Sequence, residues 1–231
     1  MPHRSVLVPA LAALFFAVLA GPAPATSNRS YGPDEWVEVD GGVSPDGRLA
    51  VVAHGGGDLG DEDFGLALAR RPEGTRIGPL PGVEEAFLDT DAAEYHAAWA
   101  PDSRRVAVRF RVDRHEVDTL IWSVDGGAIT RAEGPDLLTA AVGRSAAKLE
   151  ENRTAGLRSL TWTGPDRFTL SETRIFRGRE KAPPRLGAYG RLTDRLPDGG
   201  ALYAFSVRAE AVFTGPATWK IEKLAPGDFR R

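Results

Sequence analysis

The 231-residue chain contains no cysteine. That excludes disulfides, thiolate-bound zinc, a cysteine nucleophile and a lipid-modified N-terminal cysteine. Histidine is scarce: beyond His3 only His54, His96 and His115 occur, and none shows the i, i+4 pairing of a zinc-hydrolase helix. Lysine is confined to positions 148, 181, 220 and 223 among 29 basic residues, the rest being arginine. With abundant alanine and glycine, that bias points to a GC-rich bacterial gene. Acidic residues number 32 and the formal net charge is −3, so no global basic field exists to hold nucleic acid or an anionic membrane. Beyond the first 20 residues no stretch approaches the roughly 18 apolar residues of a spanning helix. The whole chain, 42% hydrophobic and 26% charged, has the composition of an ordinary folded protein.

The start of the chain is built differently. Met1-Pro2-His3-Arg4 is a short basic opening, Ser5–Ala20 is uncharged and apolar, and Ala23-Pro24-Ala25 offers small residues for cleavage. Residues 1–25 therefore read as an export signal, leaving 26–231 as a single domain in the periplasm or outside the cell. The apolar run of about 16 residues, interrupted by Pro9, falls short of the roughly 20 a spanning helix needs. Retention as an uncleaved anchor is the alternative. A cysteine-free domain outside the cytosol needs a substantial apolar core.

The rest reads mainly as strands. Val43-Ser44-Pro45-Asp46-Gly47-Arg48-Leu49-Ala50, Trp99-Ala100-Pro101-Asp102-Ser103-Arg104-Arg105-Val106 and, more loosely, Trp162-Thr163-Gly164-Pro165-Asp166-Arg167-Phe168 share a Pro-Asp corner feeding a strand. Leu196-Pro197-Asp198-Gly199 is a fainter echo. Proline presets φ for the first corner of a type I turn, and the aspartate bonds nearby amides. After the second corner Val106, Val108, Phe110 and Val112 alternate with Arg105, Ala107, Arg109 and Arg111, which predicts a strand with one wet face. The arginines on that face suit either a polar partner or solvent. Asp125-Gly126-Gly127 between two apolar runs predicts a hairpin. A second hairpin is expected from Ala201–Val207 and Val212-Phe213, with Trp219–Leu224 closing. One helix is expected over 136–153, capped by Asp136 and stopped by Gly156. Residues 177–195 lack periodicity and read as a long basic loop.

The Ser-Pro-Asp-Gly and Trp-Ala-Pro-Asp-Ser segments resemble the WD40-like repeat of TolB-type β-propellers, whose blades open on such a corner. The resemblance implies an all-β, mainly antiparallel fold of partial or degenerate β-propeller-like blades with one accessory helix. The two clearest blades would span 34–135. Asp46 and Asp102 lie 56 residues apart and Asp102 and Asp166 64, wider than the roughly 40–45 of a WD-type blade. The length excludes a closed six- or seven-bladed ring within one chain, leaving a partial, open propeller-like stack, a small degenerate ring or a β-sandwich that shares the turn. An incomplete stack leaves blade faces open, and the helix with the basic loop, or a second subunit, is expected to cover one.

No complete catalytic constellation is visible. His54-Gly55-Gly56-Gly57 resembles the oxyanion loop of lipases and esterases, but the G-x-S-x-G elbow that chemistry requires is missing. A Gly-rich connection is the plain reading. Asp58, Asp61 and Asp63 form a candidate calcium loop whose order departs from the EF-hand pattern, so a solvated acidic loop stands beside it. Segment 174–195 carries seven basic residues against Glu180 and Asp194, which marks Arg177, Arg179 and Arg185 as a candidate docking site. An unidentified protein or an anionic envelope component is the expected partner, homo-oligomerisation is open, and nucleic acid is not expected. No cofactor is implied. The sequence thus points to an exported, non-enzymatic binding or scaffold module. A hydrolase built from His54, the Asp58–Asp63 loop and His96 is the alternative. The two differ in whether those groups converge in one concave pocket.

Overall fold

The structure, a computed structural model, describes residues 26–55, 64–83 and 87–229. The described residues build three successive antiparallel units in one open 13-stranded sheet. The first unit is a meander of β1 (Val37–Val43), β2 (Leu49–His54), β3 (Gly65–Arg70) and β4 (Arg76–Pro79). The second repeats that order with β5 (His96–Trp99), β6 (Arg105–Asp113), β7 (Glu116–Asp125) and β8 (Ala128–Ala132). In the third, β9 (Arg153–Trp162), β10 (Arg167–Arg179) and β12 (Gly200–Phe213) pair in turn. The outer edge of β12 is shared by β11 (Gly190–Arg195) and β13 (Trp219–Pro226). Parallel contacts join the units, at Asp40 with His96 and at Glu116-Val117 with Gly156-Leu157.

The Pro-Asp corners close alike. Ser44 N–H donates to Leu49 O at 2.9 Å, and Ala100 N–H to Arg105 O at 2.8 Å. Asp46 and Asp102 each accept, at 3.1 Å, the N–H two residues on. Gly47 (φ 70) and Ser103 (φ 60) take the same left-handed position. The strain this places on serine is offset by a 3.1 Å bond from Asp46 N–H to Ser103 Oγ, which ties neighbouring corners together. Thr163 N–H to Arg167 O (2.9 Å) and Leu196 N–H to Gly200 O (2.9 Å) close the looser corners. Tryptophans then staple unit to unit: Trp99 Nε1 donates to Gly42 O at 2.7 Å, and Trp162 Nε1 to Ala98 O at 2.8 Å.

Side-chain alternation decides the stacking. Val106, Val108, Phe110 and Trp122 pack with Val51, Leu66 and Tyr95 in a core between the first and second units. The other face of β6 and β7 presents Ala107 and Ile121, which belong to a second core with Phe168, Phe205, Leu137 and Leu149. The wet face expected for β6 is therefore corrected. Ala107 is 2% exposed because the third unit covers it. Of the arginines on that face, Arg105 lies over the Phe213 ring at 4.4 Å and donates to Pro165 O, while Arg111 grips buried Asp89 with Nε at 2.7 Å. Arg109 is exposed.

Three local expectations change. The helical segment is two pieces, α1 (Leu137–Val142) and α2 (Ala146–Glu150), because Gly143 turns left-handed (φ 62) and ends α1. Asp136 caps it as expected, its carboxylate accepting Thr139 N–H at 2.6 Å. The basic segment 177–195 is strand at both ends: β10 continues to Arg179 and β11 starts at Gly190, leaving a connection of 180–189. Pairing of Arg177, Gly178 and Arg179 with Leu202, Ala201 and Gly200 extends β10 without any apolar alternation. The expected hairpin within 201–213 is a single 14-residue strand, and the turn falls between β12 and β13. As expected, helix and loop cover a face. Leu137, Leu138, Leu149 and Leu186 all pack into the third unit's core.

Candidate functional site

A groove of about 1030 Å³ opens between the helical segment and the end of β10. One wall carries Arg144, Ser145, Lys148 and Asn152; the other carries Arg177, Arg179 and the connection Ala182–Arg185. Leu149 and Phe176 form the floor. Five cationic side chains line the groove and no acidic one does. Arg177, Arg179 and Arg185, singled out from sequence, all stand on it. Sequence reasoning missed Arg144 and Lys148, whose i, i+4 spacing was the available signal.

Pairing leaves most of this charge uncommitted. Arg177 forms an exposed ion pair with Asp198, whose carboxyl is held below the usual range first by Gly200 N–H and then by Arg177. Arg144, Lys148, Arg179 and Arg185 make no ion pair among the described residues. Uncompensated cations facing one trench create a local positive potential on a chain of net charge −3.

The helical wall is held in place by a buried arginine. Arg174 on β10, 6% exposed, reaches Asp136 at 2.7 Å, Glu150, and Glu172 at 2.6 Å. It thus ties the cap of α1 and the last residue of α2 to the sheet. Glu172, 3% exposed, is also held by Arg158 (2.7 Å), which in turn meets Asp118 at 3.2 Å. Burial opposes the charge on Arg174, but Glu172 and Asp136 outweigh it and raise its pKa. Burial likewise opposes ionisation of Asp136, and Thr139 and Arg174 overcome it, so its pKa is lowered. The cap's contribution is complete above the ordinary carboxylate pKa of about 3.9 and is lost as pH falls through the lower folded value.

Of the groups of the alternative hydrolase, His54 and His96 lie within the described residues. His54 stacks on Trp36 (centroids 4.5 Å apart) and donates from Nδ1 to Glu35 O at 2.7 Å. His96 pairs with Asp40 at 2.9 Å on the inner strands. Neither lines the groove between the helical segment and the end of β10. His115 lies in the β6–β7 turn, its N–H on Asp113. Asp58, Asp61 and Asp63, with Gly56 and Gly57, lie outside the described residues, as does the segment 1–25. Among the described residues no three histidines or carboxylates gather as metal ligands, and no helix is long and apolar enough to cross a membrane.

No known protein family matches the chain, and no curated protein does. Among solved structures it is similar to the acylaminoacyl peptidase of Pyrococcus horikoshii, over 78% of this chain at 9% identity and a TM-score of 0.31. The chain spans 23% of that protein's length. At that score the likeness transfers no activity.

Proposed function

We propose that this chain is an exported, non-enzymatic binding or scaffold module that docks an anionic partner through the groove between the helical segment and β10. The observation that carries the reading is the groove's lining of five cations without a carboxylate. The like-built Pro-Asp corners and the tryptophan staples between units support placing its sheets with WD40-like, TolB-type propeller blades. Export rests on the basic-apolar-small pattern of residues 1–25. A rigid sheet that presents one charged trench suits recognition, because preorganised side chains lose little freedom on binding.

Retention on a sulfonated resin at low salt tests the docking site. The protein is acidic overall, so retention near neutral pH requires a local basic patch. The triple variant Arg177→Glu, Arg179→Glu, Arg185→Glu should flow through. A control of equal net charge, Arg104→Glu, Arg109→Glu, Arg114→Glu, should still bind. Loss in both, or in neither, would overturn the assignment.

A further inference from the structure

The groove's own chemistry narrows its occupant. Its cations stand on two opposed walls, Arg144 and Lys148 on the helical side, Arg177, Arg179 and Arg185 on the other. A single small anion would meet one wall. A volume of about 1030 Å³ lies at the top of the range for drug-sized ligands, so the trench has room for several linked residues. Its floor offers little apolar surface, since Leu149 and Phe176 are only 7% and 1% exposed. Above the floor, the apolar lining is Ala182, Pro183 and Pro184, all on the wall opposite the helical segment. The exposed large hydrophobic residues among those described, Val43 and Leu157, do not line the groove. Stacking platforms for bases or sugars are absent as well, because the lining's one aromatic is the buried Phe176.

On the footing of the proposed docking function, we infer that the occupant is an acidic protein segment, rich in Asp and Glu and bound in extended form. Successive side chains of an extended chain point to opposite sides. Carboxylates along it therefore face both walls at once, and guanidinium groups donate to carboxylates in bidentate geometry. Because four of the five cations have no ion pair among the described residues, few existing contacts must break on binding.

The test titrates the protein with fluorescent poly-L-glutamate, with phosphatidylglycerol vesicles run in parallel. Poly-L-glutamate should bind in a manner weakened by salt, as expected when screening shortens to about 8 Å at physiological ionic strength. Arg144→Glu with Lys148→Glu should weaken it about tenfold or more, whereas Arg104→Glu with Arg109→Glu should leave it nearly unchanged. Melting curves of all variants should match the parent's, since none of the four residues is ion-paired. Vesicle binding through the groove without poly-L-glutamate binding would overturn the acidic-segment inference while leaving an anion-docking groove. Failure of both probes would overturn the inference and the docking reading together.

Discussion

The two faces of the second unit are held by different forces. Toward the first unit, Trp122, Tyr95 and Phe110 are at most 2% exposed, and Tyr95 stacks on Phe110 with centroids 5.7 Å apart. Toward the third, apolar contacts through Ala107 and Ile121 are joined by an ionic seam in which Asp118 on β7 meets Arg158, which meets Glu172, which meets Arg174. An apolar interface is non-directional and tolerates small shifts. A buried charge network fixes one geometry and is costly when a member is lost. The groove lies on the ionic side, where Arg174 sets the position of its helical wall.

The comparison can be broken by substitution on each side. The larger effect is expected from Trp122→Ala, which empties the first core and also deletes the 3.1 Å bond to Pro81 O. A loss of about 3–5 kcal/mol in chemical denaturation is expected, with the first two units melting together. Arg174→Met should cost somewhat less, about 3 kcal/mol, because Arg158 still partners Glu172. Its signature should be local: early proteolysis or fast hydrogen exchange within 137–150 while the first unit stays protected. Uniform loss of protection across all three units would show that the seam and the apolar core form one cooperative block instead.

Much of the architecture was legible in the sequence because its determinants are local. The Pro-Asp corners, the alternation of Val106, Val108 and Phe110, and the Asp125-Gly126-Gly127 hairpin (φ 56 and 99 at the glycines) each lie within a few residues of the structure they specify. The end of β10 was not legible, since Arg177, Gly178 and Arg179 join the sheet through pairing with Leu202, Ala201 and Gly200 and through Arg177 N–H on Asn152 O, all distant in sequence. Gly143 looked compatible with a helix of ordinary length, and its left-handed turn shows only in the fold. Three of the groove's five cations were visible as a basic run. Arg144 and Lys148 joined it only because β9 brings the helical segment back beside β10. The ionic seam escaped notice for a like reason: Asp118, Arg158 and Glu172 lie on three strands that only the tertiary fold brings side by side.

Amide chemical-shift mapping by NMR during titration with poly-L-glutamate addresses the groove most directly. Perturbations confined to residues around 144–149 and 176–185 are the predicted result. Shifts centred instead on the Trp36–His54 stack, or on the Pro-Asp corners at Asp46 and Asp102, would contradict it.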